Sequence, residues 1–129
     1  MNITIYIATK KILPYINSGL KEYIKRLSRF GKIKIKRVKK IKSIDSTLYN
    51  IRVSKAGKLI SSEKLAKKLS TLALKGESSI SFYITDKSVE ANETIAISKM
   101  DLNNQMKLLI LVEQIYRAFS INDNMPYHK

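Results

Sequence analysis

The sequence predicts a single α/β domain with a mostly parallel sheet and flanking helices, and three observations support this fold class. The chain has 129 residues, which suits one domain. Apolar β-branched segments alternate with segments of helical periodicity in the order β-α-β-β-α-β-(β)-α. No linker, internal repeat or low-complexity stretch divides the chain, so residues 1–129 are expected to form one domain.

The first part of the chain is predicted to form three strands and one helix. Asn2–Ala8 is β-branched and apolar, as is typical of a buried strand. Pro14 opens a helix that a glycine ends. Lys32–Val38 alternates lysine with isoleucine, so one face of this strand should be cationic and exposed. Residues 47–53, leading to Gly57, form the third strand candidate. The apolar face of the helix consists of Ile16, Leu20, Tyr23, Ile24 and Leu27.

The second part is predicted to form two helices and one or two strands. Ser61 or Ser62 is the expected N-cap of a helix that ends at Gly76. Ser79–Ile84 indicates a buried strand, and residues 95–97 a short, weaker one. A helix over residues 104–119 is apolar on more than one face and must be covered on both sides. A second subunit or a central position in the domain would each provide that cover.

The charge of the chain favours a polyanionic partner. Net charge is +15, and residues 1–58 hold 16 of the 25 lysines and arginines but only Glu22 and Asp45 as acids. Such a one-sided basic region is typical of a nucleic-acid surface, RNA above all. A lysine-rich composition without a partner is the alternative. The predicted phosphate contacts, which carry no base specificity, are Lys32, Lys34, Lys36, Arg37, Lys39, Lys40 and Lys42.

Several chemical and cellular classes are excluded. The chain has no cysteine and one histidine, His128, so disulfides, thiolate metal sites and a histidine-rich metal centre are excluded. Asp86 and Glu90 alone are weak evidence for a metal, and none is expected. The apolar residues 3–8 precede Lys10 and Lys11, the reverse of a signal peptide. No apolar run approaches a membrane span of about 20 residues, so a cytoplasmic protein without membrane contact is expected.

The last seventeen residues, EQIYRAFSINDNMPYHK from Glu113 onward, resemble the C-terminal signature of a known family. This is the RlmH family, ribosomal large-subunit pseudouridine N3-methyltransferases of the SPOUT superfamily. Weaker resemblances extend over most of the chain. They are the opening NITIYIATKK, the helical KEYIKRL, the segment AGKLISSEKLAKKL, and ISKM followed by Gln105 and Met106.

The resemblance implies a SPOUT-type C-terminal trefoil knot, an S-adenosyl-L-methionine cofactor, a ribosomal RNA or ribosome substrate, and a homodimer through the last helix. By position, the implied cofactor contacts are Val53, Thr85, Ile97, Ser98, Lys99, Met100, Asp101 and Leu102. The implied catalytic residues are Arg117, Tyr127 and His128. Arg117 would orient phosphate or stabilise developing negative charge, and Tyr127 or His128 would assist deprotonation or stack on the base. Without the resemblance, Arg117 is expected to pair with Glu113 on its helix.

The chain departs from the family pattern around the cofactor site. Thr85-Asp86 stands where the family has two glycines, and Asn103-Asn104 replaces Pro-His. Residues 84–100 are too few for the usual helix, and a helix between the second and third strands is missing. The leading hypothesis is a shortened methyltransferase. The alternative is a non-catalytic RNA- or ribosome-binding protein with a degraded cofactor pocket, and a third is a basic RNA-binding module without a knot.

Overall fold

The computed structural model describes residues 1–41 and 44–123. The predicted α/β class and every predicted element are confirmed. Along the chain the elements are β1 (Asn2–Ala8), α1 (Pro14–Leu27), β2 (Lys32–Val38), β3 (Tyr49–Leu59), α2 (Ser62–Leu74), β4 (Ser79–Ile84), β5 (Glu93–Ala96) and α3 (Asn104–Asn122). Helices α2 and α3 each begin after a residue whose side chain caps the first turn. The Ser61 side chain accepts a hydrogen bond from the Lys64 amide, and the Asn103 side chain accepts one from the Met106 amide.

The sheet has the strand order β2-β1-β4-β3-β5, and all four neighbouring pairs are parallel. The three helices pack on one face, against a core that includes Ile5, Phe82 and Ile51 from the three central strands. The trefoil knot stays a prediction, because strand order and pairing do not by themselves define whether a segment passes through a loop.

The second face of the sheet is polar, with Thr4, Tyr6, Ser81, Tyr83, Asn50 and Arg52 on it. The β2–β3 connection contacts this face: the side-chain Nδ2 of Asn50 donates to the carbonyl oxygens of Asp45 (2.9 Å) and Leu48 (3.1 Å). Ile41 from the same connection is buried apart from the main core. Within described residues 39–41 and 44–48 there is no helix, as predicted. A short connection therefore provides the cover that all-parallel sheets generally need on both faces.

Helix α3 lies in the middle of the helical layer. It packs against α2 on one side and α1 on the other, and none of its residues from 105 to 121 is exposed. The side chains of Leu108, Leu111 and Ile115 are fully buried. The sequence left two explanations for the apolar faces of this helix, a second subunit or a central position in the domain. In the structure most of the cover comes from α1 and α2 of the same chain.

Strand β3 is longer than predicted, and the reason is Gly57. The prediction ended the strand at Val53, but the strand continues to Leu59 with an irregularity in which Val53 and Lys58 both lie opposite Ile95. A Cβ atom on Gly57 would lie 2.7 Å from the carbonyl carbon of Thr94. The glycine is therefore a point of close backbone approach within the strand, not its end.

Candidate functional site

A polar cluster, the strand-end cluster, forms where the carboxyl end of β4 and the start of the irregular part of β3 meet the first turn of α3. The Ser54 hydroxyl donates to Asp86 Oδ1 (2.9 Å), and the Lys107 ammonium lies 3.6 Å from Asp86 Oδ2. Ser54 and Lys107 are buried, whereas 61% of the Asp86 side chain is exposed. Ligands of open α/β sheets bind outside the carboxyl ends of the strands, which is the position of this cluster.

Asp86 is held as a carboxylate by its surroundings. The Ser54 hydrogen bond has the largest effect on the pKa of Asp86 and lowers it. Burial, the next largest effect, raises the pKa, and the nearby Lys107 and Arg52 lower it further, so the net shift is downward. Arg52 also donates to the carbonyl oxygens of Thr85 (3.2 Å) and Asp86 (2.5 Å). The turn after β4 is therefore fixed by two cations and a hydroxyl, and it presents a negative charge to solvent.

The loop of residues 97–102 closes the same end of the sheet. Lys99 Nζ donates to the carbonyl oxygens of Lys55 (3.1 Å) and Gly57 (2.6 Å), and Lys55 forms an ion pair with Asp101. Met100 is 71% exposed, an unusual position for so large an apolar side chain. The irregular part of β3 and this loop thus form one wall that carries cations and an open apolar surface.

Of the predicted cofactor contacts, Val53 and Thr85 are hydrogen-bonded neighbours, and the loop of residues 97–102 contacts β3 just beyond Val53, at Lys55 and Gly57. Val53 is buried, so only its backbone is available, and its carbonyl oxygen accepts from the Thr85 amide (3.3 Å). The sequence analysis did not predict three residues of the cluster, which are Arg52, Ser54 and Lys107. A lysine inside the apolar stretch of the last helix was a usable signal for Lys107, because a buried ammonium needs a counter-charge. Residue patterns gave no signal for Ser54 or Arg52.

Arg117 lies elsewhere on α3. Its Nε donates to Glu113 Oε1 (2.9 Å) one turn away, as predicted from the helical spacing of the two residues alone. Thirteen residues separate Arg117 from the start of the helix at Asn104, which is about 20 Å along the axis. Within one chain Arg117 is therefore not brought to the strand-end cluster. Tyr127 and His128 lie outside the described residues.

The predicted cationic strand is the edge strand β2. The alternation is as expected: Lys32, Lys34 and Lys36 are exposed, while Ile33 and Ile35 face the helices. The exposed cations continue beyond the strand in Arg37, Lys39 and Lys40, and Lys42 lies outside the described residues. Lys36 Nζ lies 5.8 Å from the ring centre of Tyr6, which itself stacks on Tyr83 at 4.7 Å.

Two negative findings concern the described part of the chain. Residues 1–41 and 44–123 contain no group of three His, Asp or Glu side chains that could hold a metal ion. In the same ranges, no helix has the length and apolarity required to cross a bilayer.

Removing the charge of Asp86 should make the free energy of unfolding less dependent on pH in the acidic range. We expect Asp86→Asn to lower the free energy of unfolding by about 1 kcal/mol at neutral pH, a figure that allows for solvent screening, because buried Lys107 loses its counter-charge. The lowered pKa means that this contribution is present above the ordinary aspartate pKa of 3.8 and is lost as pH falls further. Urea unfolding of both proteins across pH 2–7, about the range where carboxylates titrate, measures it.

Two further variants test that interpretation. Asp101→Asn removes a carboxylate whose side chain is 83% exposed, and it should have a smaller effect. In Lys107→Met the Asp86→Asn change should cost less than in the parent, since the charge it balances is gone. Equal costs in both backgrounds would show that Asp86 and Lys107 are not coupled.

An all-parallel sheet with a charged site at the carboxyl ends of its strands defines a ligand-binding α/β protein. Residues 1–128 match the family described as "Predicted SPOUT methyltransferase", and the chain belongs to this family. It is 36% identical over 133 residues to "Ribosomal RNA large subunit methyltransferase H 1" of Thermoanaerobacter sp. (strain X514). It is also similar to proteins named "Ribosomal RNA large subunit methyltransferase H" from Bacillus cytotoxicus (34%) and Clostridioides difficile strain 630 (36%), each over 159 positions.

All three alignments cover the whole of both chains. The resemblance on which the sequence interpretation was based is therefore confirmed. The 159-position alignments exceed the 129 residues of this chain, so those relatives contain segments that it lacks. The Thermoanaerobacter protein aligns over 133 positions and is of nearly the same length as this chain.

Proposed function

We propose that this protein is an S-adenosylmethionine-dependent methyltransferase that modifies a pseudouridine at N3 in large-subunit ribosomal RNA. The observation that carries the proposal is the convergence of Val53, Thr85 and residues 97–102, the contacts implied for the cofactor, at one end of the sheet. The similarity to proteins named ribosomal RNA large subunit methyltransferase supports the substrate. A cytoplasmic location belongs to this proposal, because ribosomes are assembled there in bacteria.

The residues at this site fit the chemistry of S-adenosylmethionine. The exposed carboxylate of Asp86 suits its ammonium group and ribose hydroxyls, which are hydrogen-bond donors. Lys99 and Lys55 carry positive charge for its carboxylate, and the open side chain of Met100 offers apolar surface to the adenine. At the two positions where the resemblance implies glycines, the Thr85 amide donates to the Val53 carbonyl oxygen, and the Asp86 side chain points toward Ser54 and Lys107.

When bound, the cofactor supplies an electrophilic methyl group, so transfer depends chiefly on placing the base nitrogen in line with it. The N3 proton must leave, and negative charge develops on the base. In the proposal Arg117 stabilises that charge, while His128 or Tyr127 accepts the proton or stacks on the base. Asp86 and the loop of residues 97–102 position the donor without taking part in proton transfer.

A homodimer through α3 is part of the proposal. Arg117 lies about 20 Å along α3 from the end that meets the strand-end cluster, so one chain does not bring them together. The outward stripe of α3 around Arg117 includes the half-buried apolar residues Met106, Ile110 and Ile121. A second subunit covering that stripe would bury them further and would allow Arg117 to serve the partner's site.

The cationic strand β2 is proposed to contact RNA phosphates. Lys34→Gln together with Lys36→Gln should weaken ribosome or RNA binding. The negative slope of log K against log salt should become shallower by about 1.5. Filter binding at several salt concentrations measures this slope. Lys64→Gln with Lys67→Gln removes the same charge from exposed positions of α2 and serves as the control. Equal slopes for both double variants would contradict a specific role of β2.

The experiment that tests the function is transfer of a radiolabelled methyl group from S-adenosylmethionine to ribosomes from a strain lacking this protein. Label should appear in large-subunit RNA and, after nuclease digestion, in a methylated pseudouridine. Label in another nucleotide would overturn the substrate assignment but keep the enzyme. Absence of label, with the protein folded and ribosome-bound, would overturn the enzyme.

A second candidate function is a non-catalytic RNA- or ribosome-binding protein of the same fold. It is favoured by one observation, the side chain that Asp86 places at the strand-end cluster, where the resemblance implies a glycine that would let backbone approach a ligand closely. This candidate predicts salt-sensitive RNA binding without cofactor affinity. Calorimetry that detects S-adenosylmethionine binding, competed by S-adenosylhomocysteine, would exclude it. The nearly equal length of the Thermoanaerobacter relative argues for the enzyme, since shortening alone does not set this chain apart.

A further inference from the structure

A concave site separate from the strand-end cluster lies at the β2 edge of the sheet, between α1 and β2. It is a groove of about 470 Å³, within the range of small-ligand sites. Its walls come from α1, from the loop before α1 and from the last residues of β2. The residues that matter for its chemistry are Lys11, Asn17, Leu20, Lys21, Ile35 and Arg37.

The groove combines an apolar floor with a cationic rim. Leu20 is buried and Ile35 half-buried at the floor, whereas Lys11, Lys21 and Arg37 are exposed at the rim. None of the described residues that line it is acidic. A ligand that matches this pattern has a flat apolar part and a negative charge beside it, which is the chemistry of a nucleotide. The exposed Asn17 amide adds a donor and an acceptor suited to the edge of a base.

The position of the groove relates it to the strand-end cluster. Both lie toward the carboxyl ends of the strands, and β2 and β4 are two strand spacings apart, about 10 Å. Gln105 in the first turn of α3 accepts from the Leu13 amide (2.7 Å) and donates to the Lys11 carbonyl oxygen (3.1 Å). The same turn carries Lys107, which contacts Asp86. One turn of helix thus holds the wall of the groove and the cluster at a fixed separation.

We propose that this groove binds an unpaired nucleotide of the RNA substrate, a neighbour of the nucleotide that is modified. The identity of the RNA rests on the proposed function, but the groove itself does not depend on methyl transfer. Arg37 at the rim belongs to the same edge strand as Lys34 and Lys36, whose side chains leave the opposite face, so the RNA backbone would cross this edge of the sheet and place one base on Leu20 and Ile35. Sequence-specific RNA recognition generally targets such unstacked bases. The groove gives the phosphate-binding strand a means of selecting where it binds.

Photo-crosslinking to RNA without cofactor tests the proposal. A short oligouridine containing one 4-thiouridine should crosslink to the tryptic peptide of residues 12–21, which carries most of the groove residues of α1. Lys21→Glu should lower affinity and crosslinking about tenfold, because it replaces a phosphate contact by repulsion. Lys25→Glu makes the same charge change one turn further along α1, outside the groove, and should lower affinity less than about threefold. Asn17→Ala should lower crosslinking while leaving the salt slope unchanged.

Three results would overturn the proposal. The first is crosslinking confined to other peptides, and the second is an equal loss of affinity in Lys21→Glu and Lys25→Glu. The third is tight binding of uridine monophosphate that fails to compete with RNA, which would make the groove a mononucleotide site. Failure of the proposed function is recognised separately: wild-type protein would then crosslink through the groove and transfer no methyl group to ribosomes.

Discussion

Arg117→Ala should reduce methyl transfer to ribosomes at least about a hundredfold, the usual loss when a group that stabilises developing charge is removed. The melting temperature should hardly change. Arg117 and Glu113 form an i,i+4 pair whose side chains are each 31% exposed, and such pairs contribute only about 0.5 kcal/mol. Single-turnover transfer assays and thermal unfolding of the same preparations measure the two effects.

Glu113→Ala is the matched control, because it breaks the same ion pair and leaves the arginine in place. If Arg117 served only to pair with Glu113, the two variants would behave alike in both assays. Transfer that survives in Glu113→Ala and is lost in Arg117→Ala assigns the function to the guanidinium itself. Tyr127→Ala with His128→Ala, in the part of the chain outside the described residues, should also abolish transfer, and unchanged methylation would remove both from the mechanism.

Arg117→Ala can also reveal whether the active site is shared between two subunits. Asp86→Arg should block the cofactor site by placing a bulky cation against a cationic donor. If Arg117 serves the partner's site, mixing inactive Asp86→Arg and Arg117→Ala proteins gives mixed dimers with one complete site, and about a quarter of wild-type activity returns. If Arg117 instead acted within its own chain, each of the two sites of a mixed dimer would lack either Asp86 or Arg117, and no activity would return. No recovery after verified subunit exchange contradicts the shared site.

Gly57→Ala should lower the free energy of unfolding by about 2–3 kcal/mol and the melting temperature by about 10 °C. The new methyl group would lie 2.7 Å from the Thr94 carbonyl carbon and oxygen, and backbone atoms in a paired strand cannot move away cheaply. Strand β5 must shift, and Lys99 then loses its contact with the Gly57 carbonyl oxygen. S-adenosylmethionine affinity should fall with stability, as measured by calorimetry below the unfolding transition.

Gly76→Ala is the control for this prediction. Gly76 has a φ of 86° but open space around the position of a Cβ atom, so alanine there meets only conformational strain of about 1 kcal/mol. Chemical unfolding should rank the two variants clearly. A cost for Gly57→Ala no greater than that for Gly76→Ala would show that β3 and β5 are less closely packed than described.

The sequence predicted best those strands and helices that are determined by the pattern of their own residues. Asn2–Ala8 and Lys32–Val38 were predicted to the residue, because β-branched runs and strict alternation mark strands directly. Gly57 was misread as a strand end, since a glycine looks the same in the sequence whether it ends a strand or accommodates a neighbouring backbone. Distinguishing the two requires knowing that Thr94 lies opposite, which is a tertiary fact.

The candidate site shows the same division. The resemblance located Thr85 and residues 97–102, but the contacts that hold them come from distant parts of the chain. Ser54 and Lys107 meet at Asp86 only because β3, β4 and α3 converge, and one serine among many carries no mark of that. The interpretation of the last helix was open for a similar reason, because apolarity on several faces does not reveal whether α1 and α2 or another subunit supply the cover.

The strand order has a consequence for biosynthesis. Strand β1 is synthesised before the other strands of the sheet, yet one of its two neighbours is β4, so that edge stays unpaired until residue 84 has left the ribosome. Parallel, non-local pairing is slow to form, and an unpaired apolar strand is prone to aggregate. During that interval the nascent chain is its basic half, with 16 of the 25 lysines and arginines in residues 1–58. Mutual repulsion of these charges should keep unfinished chains apart until the sheet is complete.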